Sequence, residues 1–293
     1  SNYHIVTSDT SEGQQLGLAK NEFAVVYSTD ASEQFQVHVE FNPPTANGDT
    51  SYSYGFKIVN NPTATYDADG NVQLGAEPSP IVVKGGAGDT TIIAGHGNDV
   101  YDGGGGHNVV DYREYDHGIT VDFQADNKDI LKTYDLNDTD SAKISSDGAS
   151  SSQVINGIQE IYGTKFDDVF ITNDGSHIFH GGLGNDTFIG YGGNNVFDGG
   201  TGNNTVDYRN VGGQTFGHID IASDLGIDLN GVEIDLSQNI TKRNGWTDAQ
   251  GNFGQDQLSG INTVYGTKFN DLITGGDGDD VIYGVAGDNI IKA

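Results

Sequence analysis

The chain has 293 residues, and its 42 acidic and 13 basic side chains give a formal net charge of −29 at pH 7. A charge of this sign and size argues against nucleic acids and anionic membrane surfaces as partners, because both are negative themselves. Cysteine is absent, which excludes disulfides and thiolate metal sites, and no apolar run approaches the roughly 18 residues of a transmembrane helix.

Residues 1–80 are distinct because they lack the glycine periodicity of the rest of the chain. Apolar and polar residues alternate over residues 35–41, and apolar-rich runs occupy residues 23–28 and 52–59. This pattern predicts a small N-terminal antiparallel β region of about four strands, either a cap on the glycine-rich remainder of the chain or the tail of an upstream domain. The chain begins at Ser1 with no signal peptide or initiator Met, so we expect it to be part of a larger protein.

From Gly85 onward the glycines fall into a nine-residue repeat, GGxGxDxUx, in which U is a large apolar residue. Residues 181–189 are the clearest copy, and the repeats form three blocks at residues 85–111, 163–207 and 266–292. Position eight is apolar in every repeat: Ile92, Tyr101, Val110, Phe170, Phe179, Phe188, Phe197, Val206, Ile273, Ile282 and Ile291.

The spacing of this repeat predicts both a fold and a metal. Glycines in the first six residues permit a turn with positive φ and close approach of the backbone to an ion. Calcium takes roughly six to eight oxygen ligands, which backbone carbonyls and carboxylates can supply. The remaining residues form a short strand whose one inward apolar side chain is buried only if successive coils stack. These properties predict an all-β fold of stacked coils whose turns bind several Ca²⁺ ions, and the family resemblance described below implies that the coils form a parallel β-roll.

Two repeats make one coil, so turns that are two repeats apart lie on the same edge. In the second block, the position-six residues Asp168, Asp186 and Asn204 share one edge, and His177 and Asn195 lie on the other. We predict strong calcium sites on the first edge and weak or empty sites on the second, because only the first carries carboxylates.

The other two blocks are interpreted in the same way. Asp99 is the position-six carboxylate of the first block, and Asp89 lies one residue early in its turn. In the third block Asp271 shares an edge with Asn289, and Asp280 lies opposite. The residues predicted to form metal sites are Gly86, Gly88, Asp89, Gly95, Gly97, Asp99, Gly104, Gly106, Asn108, Asp168, Gly182, Gly184, Asp186, Gly200, Gly202, Asn204, Asp256, Asp271, Gly276, Gly278, Asp280, Gly287 and Asn289.

A larger repeat overlies the nonapeptides. The triplet Asp-Tyr-Arg at 111–113 recurs at 207–209, and residues 163–168 recur as residues 266–271. We therefore predict two tandem modules, at 81–207 and 208–293. A degenerate nonapeptide at residues 251–259 places Asp256 at position six, and its counterpart in the first module carries Gln153.

Each module contains a polar insert, at residues 124–152 and 210–250. The simplest interpretation is a solvated loop on one side of the roll, but such insertions also build binding faces. Trp246, beside Lys242 and Arg243, is a candidate ligand-binding group, because an indole next to cations can stack on a sugar ring.

The nonapeptides resemble those of the RTX family of type I-secreted bacterial proteins. The interruption between the blocks is also similar to the R-modules of mannuronan epimerases and to modules of RTX adhesins. The resemblance implies a β-roll that stays unfolded in low-calcium cytosol and folds in external calcium. It assigns the ligand carboxylate to Asp99, Asp168, Asp186, Asp271 and Asp280, whereas His177, Asn195 and Asn204 depart from the motif.

No catalytic motif emerges from the sequence: HExxH, GxSxG and Walker patterns are all absent. We therefore predict that the chain is not an enzyme but a calcium-dependent folding and binding module of a secreted or cell-surface protein. Its expected partners are calcium and an extracellular polysaccharide or cell surface, as in adhesion, with no nucleic acid and no membrane insertion. The alternatives are a non-catalytic accessory module of a secreted polysaccharide-modifying enzyme and an S-layer-like self-assembling subunit.

Overall fold

The computed structural model describes residues 3–7, 9–11, 14, 22–27, 36–38, 54–60, 65–66, 72–73, 82–85, 88–95, 98–133, 138, 140–146, 152–211, 230–243 and 247–292. The strands in the first half are β1 Tyr3–Thr7, β2 Glu22–Tyr27, β3 Gln36–His38, β4 Tyr54–Asn60, β5 Thr65–Tyr66, β6 Val72–Gln73, β7 Val82–Lys84, β8 Thr90–Ile93, β9 Val100–Asp102, β10 Asn108–Asp111, β11 Ile119–Asp122, β12 Ser141–Ser146 and β13 Ser152–Asn156. Those in the second half are β14 Glu160–Tyr162, β15 Val169–Ile171, β16 Ile178–His180, β17 Thr187–Ile189, β18 Val196–Asp198, β19 Asn204–Asp207, β20 Glu233–Asp235, β21 Ile240–Arg243, β22 Gln257–Ser259, β23 Ile261–Tyr265, β24 Leu272–Thr274, β25 Val281–Tyr283 and β26 Ile290–Lys292. Helix α1 spans Lys128–Thr133, and a 3-10 helix spans Leu236–Gln238.

The chain forms two compact units. Unit 1 comprises Ser1–Glu114 and Ala125–Glu160, and unit 2 comprises Tyr115–Gln124 and Ile161–Ala293. In each unit the strands of alternate nonapeptides pair in parallel: β8 with β10 in unit 1, and β15 with β17 and β17 with β19 in unit 2. This pairing of repeats two apart is the arrangement expected for a β-roll, and the predicted fold class is confirmed.

The core of unit 2 is a ladder of inward aromatic rings at position eight. The rings of Phe170 and Phe188 stack with centroids 5.2 Å apart, and those of Phe188 and Phe197 lie 5.1 Å apart. All of these side chains are fully buried, as are Phe179 and Val206. Each strand contributes one large apolar group to the interior, and the neighbouring coils complete its burial.

Burial of position eight decreases in the third block. Ile273 is fully buried, Ile282 is half-buried and Ile291 is 47% exposed. Strand β26 pairs with β24 and β25 pairs with β23, so each has a described partner on only one side. The inward apolar residue of a coil is therefore buried by two neighbouring coils rather than by its own turn.

The N-terminal region differs in pairing from the antiparallel β region that its sequence predicts. Strand β2 is antiparallel to β1, and β5 to β6, but β2 is parallel to β4. Strand β4 is in turn parallel to β8 of the first nonapeptide block, and β3 is parallel to β7. Alternation of apolar residues identifies a strand but does not specify the direction of its neighbour, which depends on contacts distant in sequence.

The first polar insert is also more ordered than the solvated loop that we predicted. Its strand β12 is antiparallel to β13, and its helix α1 places Leu131 against Val82, Val100 and Val154. These three valines come from neighbouring strands, and their outward faces are covered by the helix. Ile130 and Leu131 form a short apolar pair in a polar stretch of sequence, which does not reveal the distant partners of Leu131.

No helix among the described residues is long and apolar enough to cross a membrane.

Candidate metal centre

The position-six side chains of unit 2 form a hydrogen-bonded ladder along one edge. The backbone N–H of Asp168 donates to Oδ1 of Asp186 at 2.9 Å, and the N–H of Asp186 donates to Oδ1 of Asn204 at 2.8 Å. All three residues are fully buried. The edge that the repeat spacing predicts is therefore the one on which the structure brings Asp168, Asp186 and Asn204 together.

Asparagine and aspartate differ at this position in what their second side-chain atom can do. The Nδ2 atom of Asn204 donates to the carbonyl of Gly260 at 2.9 Å, and that of Asn108 donates to the carbonyl of Gly157 at 2.9 Å. In the third block, Nδ2 of Asn289 donates to the carbonyl of Gly284 at 2.8 Å. A carboxylate oxygen cannot donate to a carbonyl, so the second oxygen of an Asp at position six needs either a protein donor or a cation.

Asp186 shows this difference most clearly. Its Oδ2 atom is buried and has no hydrogen-bond partner. Burial is the largest cause that raises the pKa of Asp186 to about 7, and the neighbouring charges of Asp168 and Asp167 act in the same direction. An uncompensated buried carboxylate is costly, and a bound cation is the usual solution.

Asp168 and Asp271 occupy equivalent turns and receive several protein donors. Oδ2 of Asp168 accepts from the N–H of Thr164 at 2.6 Å, and Oδ1 accepts from the Thr164 hydroxyl at 3.0 Å. Asp271 accepts from Thr267 in the same way, at 2.8 and 2.7 Å. Burial still raises the pKa of Asp168 to about 6. Asp168 therefore has less need of a cation than Asp186, although our sequence interpretation treated the two alike.

A further donor reaches each of these two carboxylates from the segment that precedes its block. The N–H of Ile119 donates to Oδ1 of Asp168 at 2.8 Å, and the N–H of Val232 donates to Oδ1 of Asp271 at 2.8 Å. The Gly-Thr-Lys-Phe turn thus anchors the chain where a block begins. The Thr in both copies was the signal for this role, and sequence reasoning missed it.

On the opposite edge of unit 2 the described position-six residues hydrogen-bond to one another. The N–H of His177 donates to Oδ1 of Asn195 at 3.1 Å, and the N–H and Nδ2 of Asn195 both donate to Oδ1 of Asp256. The remaining oxygen of Asp256 accepts from the hydroxyl of Tyr208 at 2.7 Å. Asp256 thus occupies position six of its turn, as its degenerate nonapeptide predicts, but its carboxylate already has donors on both oxygens.

In unit 1 the side chains at position six also accept hydrogen bonds from protein groups. The Tyr101 hydroxyl donates to Oδ2 of the buried Asp99 at 3.0 Å, and the N–H of Gly95 donates to the Tyr101 hydroxyl at 3.0 Å. Gln153 replaces a carboxylate at position six and accepts from the Tyr112 hydroxyl at 3.0 Å. The predicted Asp89 is half-buried and accepts from the N–H of His107 at 2.8 Å.

The predicted turn glycines mostly occupy backbone that other residues would strain. At Gly184, where φ is 113°, a Cβ would lie 2.6 Å from the carbonyl oxygen of Phe166. At Gly202, where φ is 140°, it would lie 1.7 Å from the carbonyl oxygen of Gly184. Successive turns therefore approach too closely for side chains. The predicted glycines with positive φ are Gly104, Gly106, Gly182, Gly184, Gly200, Gly202 and Gly287.

Other predicted turn glycines have free space around them, donate a hydrogen bond to an Asp, or fall outside the described residues. A Cβ at Gly88 or Gly278 would meet no atom within 4 Å, and the N–H of Gly276 donates to Oδ2 of Asp280 at 2.5 Å. Gly86 and Gly97 lie outside the described residues.

A second ladder, at position five, was not anticipated from the sequence. Oδ1 of Asp167 accepts from the N–H of Asn185 at 2.7 Å, and Oδ1 of Asn185 accepts from the N–H of Asn203 at 2.9 Å. On the other edge Oδ1 of Asn194 accepts from the N–H of Gln255 at 2.9 Å. Asp and Asn recur at position five, and this recurrence was the available signal. These side chains hold consecutive turns together on their solvent side.

The residues predicted to contact a saccharide are only partly described. Lys242 lies 3.3 Å from the carboxylate of Asp235 and 3.7 Å from that of Glu233, so its ammonium group has anionic partners within the protein. Trp246 and the side chain of Arg243 lie outside the described part of the chain.

The donor set of the turns fits calcium. Among the described residues no group of three or more His, Asp or Glu side chains could hold a metal by itself. A cation at these turns must therefore take much of its coordination from backbone carbonyls, which calcium accepts readily. The buried Oδ2 of Asp186 is the protein oxygen that such an ion would satisfy.

Comparison with protein families agrees with this chemistry. Four copies of the RTX calcium-binding nonapeptide repeat match the chain, at residues 82–110, 156–188, 171–206 and 257–291. The match covers the nonapeptides and does not extend to mannuronan epimerases. A search of curated proteins found no significant match. Repeats of this kind bind Ca²⁺ at multiple sites and are typical of type I-secreted proteins. The glycine-rich turns of this chain are therefore RTX calcium-binding nonapeptide repeats, and calcium is the metal that its β-roll binds.

Proposed function

We propose that the chain is a calcium-dependent folding module of a secreted or cell-surface bacterial protein, and that the Asp186 edge of unit 2 is its principal calcium site. The observation that carries the proposal is the buried, unpartnered Oδ2 of Asp186. Turns with Asn at position six make their own hydrogen bond to a carbonyl, whereas Asp186 requires a cation. Folding would then follow the calcium concentration, low inside a cell and high outside it.

Paired single substitutions test this assignment. We expect Asp186→Ala to raise the calcium midpoint of folding by about tenfold or more, because it removes a charged ligand. Asn195→Ala is the matched control at position six of the opposite edge, and it should shift the midpoint far less. Calcium titrations followed by circular dichroism measure both, and equal midpoints would contradict the assignment of the edges.

The folded module is proposed to associate with extracellular polysaccharide or a cell surface rather than to catalyse a reaction. The sequence has no recognised catalytic motif, and the buried position-six carboxylates have structural or metal-binding roles. Binding of the chain to bacterial and algal polysaccharides, in millimolar calcium and again with chelator, tests this association. Failure of the calcium-folded chain to bind any of these polysaccharides, or calcium-dependent sheet formation by the chain alone, would contradict the association.

A further inference from the structure

A cavity of about 420 Å³ opens on unit 2, and its described lining contains no glycine. Its volume falls within the range of roughly 300–1,000 Å³ that is typical of small-molecule sites. Residues of β18, of β22 and of the turn between the 3-10 helix and β21 line it: Val196, Gln238, Asn239, Ile240, Gln257, Leu258 and Ser259.

Backbone hydrogen bonds fix the turn that forms one wall of this cavity. Asn239 ends the 3-10 helix in the left-handed conformation, with φ of 57°, and its N–H donates to the carbonyl of Leu236. The carbonyl of Asn239 accepts from the N–H of Leu258 at 2.8 Å, and Ile240 pairs with Gln257. Because the wall is tied to the neighbouring strand, a ligand would not have to order it.

The lining combines amides, a hydroxyl and aliphatic surface. Gln238, Asn239 and Gln257 are exposed, and each amide offers both donors and an acceptor. Val196 and Ile240 are half-buried and provide apolar surface. None of the described residues that line the cavity is basic.

A row of polar and aromatic side chains extends from Ser259 across the neighbouring strands. The Ser259 hydroxyl donates to Oδ1 of Asp198 at 2.8 Å, and Nδ1 of His180 lies 3.2 Å from Oδ2 of Asp198. Burial acts to raise the pKa of Asp198, but the hydrogen bonds from Ser259 and His180 outweigh it and lower the pKa. The ring of Tyr162 stacks on His180 with centroids 4.3 Å apart.

We propose that this cavity binds a neutral, hydroxyl-rich saccharide, and that the row Asp198, His180 and Tyr162 contacts the adjoining sugar unit. Amides and a carboxylate pair with sugar hydroxyls, and the aliphatic surface packs against the C–H face of the ring. An acidic glycan is disfavoured, because the lining has no cation and Asp198 would repel it. The inference rests on the proposed association with polysaccharide and specifies its site and the charge of its ligand.

Calorimetric titration of the whole chain in millimolar calcium tests the proposal. The probes are neutral hexasaccharides, including cellohexaose, laminarihexaose and maltohexaose, and an acidic hexamannuronate. We expect one of the neutral sugars to bind and both Gln257→Ala and Ser259→Ala to weaken it by roughly three- to tenfold, as for the loss of one hydrogen bond. Thr187→Ala, at the equivalent position seven of β17 on the other sheet, is the matched control and should leave the affinity unchanged.

The other outcomes distinguish failure of the cavity as the binding site from failure of the proposed association with polysaccharide. Neutral-sugar binding that survives both substitutions, or binding of the acidic sugar alone, overturns the cavity as the site but leaves the association with polysaccharide intact. No binding of any probe by the calcium-folded chain overturns both. Circular dichroism of each variant in calcium establishes that it has folded, which is expected because Gln257 and Ser259 are exposed.

Discussion

At the scale of single residues, the side chain at position six and the donors that reach it govern whether a turn would need a cation. Asn204 and Asn289 carry a donor for the nearby carbonyl, and Asp186 does not. The two amino acids differ by one group, NH₂ or O⁻, at nearly constant shape. The exchange of Asn for Asp is therefore a conservative change in volume but a large one in calcium requirement.

The raised pKa values predict that calcium and protons compete for these turns. Burial raises the pKa of Asp186 to about 7 and that of Asp168 to about 6 in the metal-free fold, above the value of about 3.9 in an unfolded chain. Between about pH 4 and 7 the metal-free fold thus binds more protons than the unfolded chain. Its stability increases as the pH falls through this window and is lost as the pH rises through it.

Calcium that binds to the folded, metal-free chain should therefore release protons near pH 6.5, about midway between the two raised pKa values. The titration is made under conditions in which that fold persists without calcium. Titration calorimetry in two buffers with different ionisation enthalpies measures this release, and Asp186→Asn should reduce it. The apparent calcium affinity should also fall as the solution is acidified. Binding heats that do not depend on the buffer would contradict the prediction.

At the scale of elements, the Asp-Tyr-Arg triplets fix the turn to which the chain returns after each insert. The hydroxyls of Tyr112 and Tyr208 reach the position-six residues of these turns, Gln153 and Asp256. The arginines are external, and Arg209 pairs with Asp207 and lies 4.4 Å from the ring centroid of Tyr265. The triplet thus joins a buried tyrosine to a surface ion pair.

Tyr208→Phe should destabilise the chain more than Tyr112→Phe. Burial raises the pKa of Tyr208 well above its usual value, so its hydroxyl remains a donor to Asp256. Loss of a donor to a buried carboxylate costs about 1–3 kcal/mol, whereas the bond from Tyr112 to the neutral Gln153 contributes about 1 kcal/mol. Denaturant unfolding in saturating calcium measures both variants. Equal losses would show that the charge of Asp256 is irrelevant to the contact.

The elements that sequence could predict are those whose partners recur at a fixed spacing. The phenylalanine ladder and the edge shared by Asp168 and Asp186 follow from the period of nine. Helix α1 and strand β12 could not be predicted, because Leu131 finds its valine partners through contacts far apart in the sequence. The donors from Thr164 and Ile119 to Asp168 were likewise invisible, since only the fold brings the preceding segment to that carboxylate.

At the scale of the whole molecule, the net charge of −29 opposes compaction. Bound calcium offsets part of this charge at the places where carboxylates are buried. We expect chelator to expand the chain, with a rise in the radius of gyration measured by X-ray scattering and loss of the β signal in circular dichroism. An unchanged spectrum in chelator would refute calcium-coupled folding. Added sodium chloride is the control, because screening alone should restore compactness only in part.

The ladder at position six also has a consequence for the order in which unit 2 assembles. Each coil contacts its neighbours alone, so order spreads along the roll from a starting coil, as in a one-dimensional zipper. If Asp186 holds calcium as proposed, its turn is where an ion binds, and the turns of Asn204 and Asn195 supply their own bonds once a neighbour is in place. Folding of the roll would thus begin at the turn of Asp186 and extend through the turns that carry asparagine. The ratio of Asp to Asn at position six would then set how sharply the roll responds to a change in calcium concentration.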